Sequence, residues 1–191
     1  TGNASRILSR HSGIIRSKLH KAPEGQKGKT MAFGGLREKA RELRVNDWID
    51  AAGKPLERPV RLADLGSGYN VIFCFQDWCP GCHSRGFPTL KLLHEALKDK
   101  GFGFAVIQTV FEGADVNTFD KLRLNQERYG LAIPFGQDLP PAGERYPTFM
   151  EDYRSGGTPW FTIIDPAGNV VFADFRLDAQ ADPVIQAAVD G

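Results

Sequence analysis

The stretch "FCFQDWCPGCHSRG", residues 73–86, holds all three of the chain's cysteines, and two of them, Cys79 and Cys82, form a CxxC pair with His83 directly after it. Just before the motif, residues 71–75 are apolar at every position, which is typical of a central strand covered on both faces. After it, an apolar stripe that stops at Gly101 predicts a helix beginning right after Trp78. The cysteine pair therefore falls where a buried strand turns into a helix.

This position suits a reactive thiol. Pro80 fits the first position of a helix, because the N–H that it lacks would have no intrahelical partner there. The free backbone N–H groups and the positive end of the helix dipole stabilise the thiolate form of Cys79 and favour it as a nucleophile. Cys82 lies one turn on, on the same face and within disulfide reach, and we expect it to be more buried. Such a pair can exchange disulfides, with Cys79 attacking and Cys82 resolving.

Two other interpretations of the motif are weaker. A zinc site needs four ligands, and the remaining histidines, His11, His20 and His94, provide no second pair. The string CxxCH is also that of c-type haem attachment, which belongs in a small helical fold rather than after a buried strand. We therefore predict neither a metal nor a cofactor.

Three residues near the pair receive simpler interpretations. We expect His83 to be an exposed helix residue. Asp77 is the nearest acid in sequence; it could take part in proton transfer, but an exposed carboxylate is the simpler expectation. Cys74, on the strand among Val, Ile and Phe, is predicted to be a buried, inert thiol.

The rest of the chain predicts an α/β sandwich with a parallel and an antiparallel part. Pro88 should kink the helix that follows the motif. The first predicted elements are a short helix over 36–44 and a strand–turn–strand over 46–60. After the motif and its helix come strands over 102–110 and 131–138, with a helix over 115–129 between them. A Pro/Gly-rich connection over 139–157, with a helical turn near 149–153, then leads to a hairpin over 158–175 and a closing helix over 182–191.

Composition separates a basic arm from the domain. Residues 1–30 carry seven Lys or Arg and one acid, a net charge of +6, so the rest of a chain with total charge +1 carries −5. We predict an arm over 1–35 and one domain over 36–191, since 191 residues suit one domain with an extension. The Arg- and Ser-rich arm is similar to a mitochondrial transit peptide, although an arm that docks on a partner or an added tail fits as well.

The same totals bound the location. No apolar run reaches the roughly 18 residues of a membrane span. Three cysteines are too few for a secreted disulfide framework, and no secretory signal is visible. The expected location is cytoplasmic or in the mitochondrial matrix.

Taken together, the chain over about 44–190 resembles the thioredoxin superfamily, and within it the TlpA/AhpC-TSA type of redoxin. The residues that carry the resemblance are Asp47 with Gly53, Leu62–Leu65, the WCPGC motif at 78–82, Ile133–Phe135, Thr158 with Pro159, and Asp165 with Gly168. The resemblance implies a thioredoxin-like three-layer α/β/α sandwich with a mixed central sheet and, here, an N-terminal extension.

The resemblance also implies roles around the cysteines. Pro159 would be a cis-proline packed beside the pair, with the backbone of Thr158 free to bind an extended substrate, and Trp78 and Trp160 would form the apolar rim. The sequence departs from the family in places. Phe73 stands where thioredoxins carry a buried acid, and Gln76 stands where peroxiredoxins carry Thr or Ser.

Three hypotheses on function follow. The first is a thiol–disulfide oxidoreductase that acts on a protein or small-molecule thiol or disulfide through Cys79 and Cys82, without a cofactor. The second is a thiol peroxidase of peroxiredoxin type in which Cys79 is oxidised and Cys82 resolves. The third is a non-catalytic subunit of a larger assembly, docked through residues 1–30 on an acidic protein surface or, as a weaker alternative, on RNA phosphate.

Overall fold

The computed structural model describes residues 33–178, 182, 183, 185 and 186. Within them the elements follow in the order β1 (Asp47–Ile49), α1 (Leu62–Leu65), β2 (Asn70–Phe75), a π-helical turn (Cys82–Gly86), α2 (Phe87–Leu97), β3 (Gly103–Thr109), α3 (Asp120–Tyr129), β4 (Phe135–Asp138), α4 (Thr148–Asp152), β5 (Trp160–Ile164) and β6 (Val170–Asp174). All of the predicted arm except residues 33–35 lies outside the described residues, as does most of the predicted closing helix.

The strands form one mixed sheet in the order β1-β4-β3-β2-β5-β6. β2 pairs in parallel with β3 and antiparallel with β5, and β3 pairs in parallel with β4. The outer strands β1 and β6 pair antiparallel with β4 and β5. β2 is therefore central, which agrees with its complete burial and its unbroken apolar sequence.

Each face of the sheet carries its own core. Val71, Phe73 and Phe75 point to the face that is covered by α2 and α3, where Leu90 and Leu122 complete one cluster. Residues of β2 that point the other way, Ile72 and Cys74, pack in a second cluster with side chains of α1 and α4. The predicted three-layer α/β/α sandwich with a mixed sheet is thus confirmed.

The predicted helix over 36–44 is wrong. This segment instead runs beside the start of β6, where Lys39 forms an antiparallel bridge with Asn169. Arg37 and Ala40 donate their backbone N–H groups to the carbonyls of Val170 and Gly168. These two N–H groups have acceptors on the neighbouring hairpin, so they are not used in helical hydrogen bonds.

Some other boundaries also differ. The second strand of the opening hairpin is reduced to a single bridge between Ile49 and Pro55. The helix expected from residue 115 begins only at Asp120, because the side chain of Asn117 is buried and bonded to the preceding loop. None of the described helices is both long and apolar enough to cross a membrane.

Candidate active site

Cys79 lies at the end of the turn that follows β2, and the helical segment begins at Pro80. The N–H of Cys79 donates to the carbonyl of Gln76 over 3.1 Å, which closes this turn, and the N–H of Cys82 donates to the carbonyl of Cys79 over 3.1 Å. The junction predicted between a buried strand and a helix is therefore the place where the structure puts the pair.

The two thiols are in direct contact. The Sγ atoms of Cys79 and Cys82 lie 2.7 Å apart, and the backbone N–H of Cys82 also donates to Sγ of Cys79 over 3.3 Å. Both cysteines are free thiols. A small change of side-chain torsion would bring the two sulfur atoms to bonding distance, and loss of two protons and two electrons to an oxidant would then form the disulfide.

The pair is asymmetric. Cys79 is 7% exposed, whereas Cys82 is completely buried. Burial raises the pKa of the Cys82 thiol well above its usual range, and the neighbouring Cys79 raises it further, while the backbone N–H of Gln76 and the hydroxyl of Thr158 act in the opposite direction. Cys82 is therefore a protonated thiol at neutral pH, and Cys79 is the sulfur that a substrate can reach.

The loop before β5 closes one side of the pair. The peptide bond between Thr158 and Pro159 is cis, and the carbonyl oxygen of Thr158 lies 3.6 Å from Sγ of Cys79. The ring of Pro159 packs against Gly86, where an added Cβ would lie 3.0 Å from Cβ of Pro159 and 2.6 Å from Cζ of Phe73. A glycine at 86 lets the helix approach both side chains closely.

The helix after the pair has an irregular first turn. Residues Cys82–Gly86 form a π-helical turn, in which the N–H of Phe87 donates to the carbonyl of Cys82, five residues back. We predicted a kink at Pro88, and the irregularity lies in the turn just before it. Pro88 has no N–H to donate back into this turn, which favours a local departure from the α-helical pattern.

His83 is not the simple exposed residue that the sequence suggested. Its Nδ1 lies 2.6 Å from the hydroxyl of Tyr129, and its Nε2 lies 2.5 Å from the carbonyl oxygen of Asp77. A carbonyl oxygen only accepts, so Nε2 carries the proton, and in the neutral ring Nδ1 accepts from Tyr129. The ring also stacks with Phe87 and Tyr129. His83 thus ties the loop before Cys79 to the end of α3.

Asp77 is likewise half-buried and bonded rather than simply exposed. Its carboxylate accepts from the side-chain amide of Asn125 over 2.8 Å and pairs with Nζ of Lys121 over 3.2 Å. Its backbone N–H donates to the side chain of Asn117 over 2.7 Å. The loop 76–78 is therefore attached to α3 and to the loop before it, and this fixes the residues that precede Cys79.

The two tryptophans predicted at the rim differ in their exposure. Trp78 is 47% exposed beside the pair, as a rim residue would be. Trp160 is only 2% exposed and belongs to the core on the opposite face, so its prediction as a rim residue is wrong. In the pairing of β2 with β5, Trp160 lies opposite Cys74, whereas Phe161 lies opposite Phe73 and shares the face of the cysteine pair.

The remaining expectations have mixed outcomes. Cys74 is completely buried, which confirms the burial predicted for it, and burial raises the pKa of its thiol. Phe73, where thioredoxins carry an acid, is buried among aromatic rings. Over the part of the chain that the structure describes, no three His, Cys, Asp or Glu side chains come together as a metal site. The sequence analysis missed Tyr129 and Asn117, because no local pattern links them to the motif.

Comparison with known proteins identifies the fold through solved structures and not through sequence families. The chain matches no protein-family model and no curated protein sequence. Among solved structures it is similar to a thioredoxin-like superfamily protein, at 28% identity and a TM-score of 0.68 over 80% of this chain and 97% of that one. It is also similar to a thiol-disulfide isomerase from Corynebacterium glutamicum, at 28% identity and a TM-score of 0.65 over 79% of this chain and 93% of that one.

A third similar structure is the thioredoxin domain of a thiol-disulfide oxidoreductase from Bacteroides vulgatus, at 22% identity and a TM-score of 0.58 over 80% of this chain and 97% of that one. That likeness concerns the fold. The chain therefore has a thioredoxin-like fold, and its structural neighbours include proteins described as thiol–disulfide oxidoreductases. The likeness to the thiol-disulfide isomerase, at 28% identity, supports a redox role in general terms.

Proposed function

We propose that this protein is a thiol–disulfide oxidoreductase of the TlpA/AhpC-TSA type that works through Cys79 and Cys82. The observation that carries the proposal is the contact between the two sulfur atoms, 2.7 Å apart at the start of a helix and beside a cis-proline. The description of one structural neighbour, at 28% identity, as a thiol-disulfide isomerase supports it.

The reaction balances as two exchanges. The thiolate of Cys79 attacks one sulfur of a substrate disulfide, the substrate's S–S bond breaks, and the leaving thiolate takes a proton from water. Cys82 then loses its proton and attacks Sγ of Cys79, which releases the second substrate thiol. The substrate gains two electrons, and the protein is left with a Cys79–Cys82 disulfide. The reverse sequence oxidises a dithiol.

Thr158 and Pro159 would bind the substrate. The Thr158 carbonyl lies 3.6 Å from the attacking sulfur, so a main-chain N–H of an extended peptide that bonds to this loop would bring its cysteine to Cys79. Pro159 has no N–H of its own, and its buried ring limits the approach on that side. Trp78, exposed beside the pair, would contribute an apolar contact.

The first test is the reduction potential of the pair. The protein is equilibrated in a series of glutathione buffers of different redox potential, and its free thiols are labelled and counted by mass spectrometry. We expect a single two-electron transition within the range of known thiol oxidoreductases, about −270 to −120 mV. The transition should be lost in Cys79→Ser and kept in Cys74→Ala. A protein that forms no Cys79–Cys82 disulfide at any poise would contradict the proposal.

A second test separates the two roles. Cys82→Ser should still attack a disulfide substrate but should remain joined to it, since the resolving sulfur is missing. Cys79→Ser should form no such adduct, because the two remaining thiols, Cys74 and Cys82, are buried and burial raises the pKa of each. An adduct on Cys82 in the Cys79→Ser protein would reverse the assignment.

A further inference from the structure

An open groove of about 540 Å³ lies along the helix that follows the cysteine pair. One wall is the solvent-facing side of that helix, from Ser84 to Leu92. The other wall is formed by Phe161 of β5 and by the segment that follows β6, from Phe175 to Asp178. Nothing in the exchange mechanism described above uses this groove.

One end of the groove lies close to Gly81 and Pro159, which flank the cysteine pair. Its first residues include Arg85 and Gly86, and Gly86 packs against Pro159. Nη2 of Arg85 lies 3.8 Å from the position that a Cβ on Gly81 would occupy, and the same position lies 3.3 Å from Cδ of Pro159. Gly81 stands between the two cysteines. The guanidinium of Arg85 is therefore held at the edge of the site, where part of a bound substrate would pass.

The walls carry two cations that the fold does not use. Arg85 and Arg176 both line the groove and are both exposed, and within the described part of the chain neither guanidinium forms an ion pair. Asp178 also lines the groove, so two positive charges face one negative charge. Arginine offers a planar fork of donors that matches a carboxylate.

Apolar surface lies between the charges. Phe175 is 41% exposed, and Leu92 on the opposite wall is also exposed. Phe175 is held in place from below, since its ring packs edge-on against the buried ring of Trp160, with 4.8 Å between centroids. A mixture of anchored apolar side chains and free guanidinium groups is suited to a peptide rather than to an inorganic anion.

We propose that this groove selects acidic peptide disulfides: extended segments that carry Asp or Glu within a few residues of the cysteine that Cys79 attacks. This inference rests on the proposed exchange function and adds the substrate class. A carboxylate next to the cysteine would meet Arg85, and one farther along the segment would meet Arg176. Charge pairing of this kind raises the rate of productive encounter and is weakened by salt.

The test compares three short peptides that differ only at two positions, one next to their single cysteine and one a few residues farther along, which both carry Glu, Gln or Lys. Each cysteine is activated as a mixed disulfide with neutral 2-thiopyridine, whose release is followed by absorbance after mixing with the reduced full chain. We expect the Glu peptide to react roughly two- to fivefold faster than the Gln peptide for each arginine involved, and the Lys peptide to be slowest.

Substitutions assign the effect to the groove. Arg85→Gln and Arg176→Gln should each reduce the ratio of the Glu to the Gln rate, the double variant should bring it to about one, and Arg85→Lys should keep part of it. Lys91→Gln, an exposed change on the same helix outside the groove, should leave the ratio unchanged. High salt should lower the wild-type ratio.

The outcomes separate the two proposals. Equal rates for the Glu and Gln peptides with the wild-type protein would overturn the selection of acidic substrates and leave the exchange function standing. The same holds if the preference survives in the double arginine variant. If the wild-type protein releases thiopyridine from none of the peptides faster than Cys79→Ser does, the exchange function itself fails.

Discussion

The hydroxyl of Tyr129, the last residue of α3, lies 2.6 Å from Nδ1 of His83, in the turn that follows the cysteine pair. The rings of Tyr129 and Phe87 are stacked, with centroids 4.0 Å apart, so the contact is both polar and apolar. Since Nε2 of His83 bonds to the carbonyl of Asp77, one imidazole joins the loop before Cys79, the turn after Cys82 and the end of α3. These three segments define the geometry of the site.

Tyr129→Phe tests this connection. The change removes one hydroxyl and keeps the stacked ring, and it leaves Nδ1 of His83 without its donor. We expect the free energy of unfolding to fall by about 1–2 kcal/mol, as for a lost hydrogen bond with a partly buried partner. Urea denaturation measures it. Tyr146→Phe is the matched control, because Tyr146 is exposed and its hydroxyl forms no hydrogen bond in the described part of the chain. Equal losses in the two variants would contradict the role of the His83–Tyr129 bond.

The rate at which Cys82 attacks Cys79, the second exchange of the proposed reaction, should depend on the protonation of Cys82. Burial raises the pKa of this thiol, so only a small fraction is thiolate at neutral pH. As long as the pH stays below the pKa, the thiolate fraction grows about tenfold for each unit by which the pH rises. We therefore expect the step in which Cys82 releases the substrate from Cys79 to accelerate steadily from neutral into alkaline pH. Rapid mixing with a chromophoric disulfide separates this step from the first attack.

We call the attack of Cys82 on Cys79 the closure of the disulfide. If the rate of closure is constant over that pH range, another group takes the proton from Cys82. The position that carries an acid in thioredoxins is occupied by Phe73, which is buried among aromatic rings and has no group to accept a proton. A second comparison uses Thr158→Val, which removes the hydroxyl that favours the Cys82 thiolate and should slow closure without a change in its slope against pH.

Gly86 should tolerate no side chain. A Cβ at this position would lie 2.6 Å from Cζ of Phe73 and 3.0 Å from Cβ of Pro159, two buried groups that cannot easily move aside. Gly86→Ala should therefore lower the free energy of unfolding by about 1–3 kcal/mol. It should also disturb the contact between the helix and the loop that carries Thr158. Thermal or urea unfolding, compared with Ser84→Ala at an exposed position in the same turn, checks the first effect. An unfolding free energy equal to that of Ser84→Ala would contradict it.

The sequence was sufficient for the central part of the fold because local signals there agree with the tertiary structure. The apolar run of β2, the Pro80 start and the Gly168 turn are each short-range patterns with one structural solution. The helix expected over 36–44 failed because Arg37 and Ala40 find backbone partners more than a hundred residues away. No local pattern contains that information.

The site shows the same division. Cys79 and Cys82 were predicted from the four-residue motif at 79–82 and the strand and helix patterns on either side of it, whereas the partners of His83 come from α3 and from the preceding loop. Trp160 was misplaced for a related reason. The motif Thr-Pro-Trp indicates that residue 160 follows the substrate loop, but only the register of β5 against β2 decides that it faces the opposite core. Register and long-range side-chain partners are what the sequence left open.

His94 should make stability depend on pH. Its side chain is 13% exposed and packs edge-on against Phe104, and burial lowers the pKa of the imidazole below its ordinary value. Because the folded pKa lies below the unfolded one, the unfolded chain binds the proton more readily. The stabilising effect of neutral His94 is therefore complete above the unfolded pKa of about 6.5 and is lost as the pH falls through that value.

We expect the unfolding free energy to decrease from neutral pH to about pH 5.5, and to decrease less in His94→Gln. The comparison is made on the difference between the two pH values within each protein, since the substitution also changes packing. Glu95, 3.9 Å from Nδ1, acts in the opposite sense, so Glu95→Gln should make the loss in the wild-type background steeper. If wild type and His94→Gln lose the same free energy over this range, the pH dependence belongs to other groups.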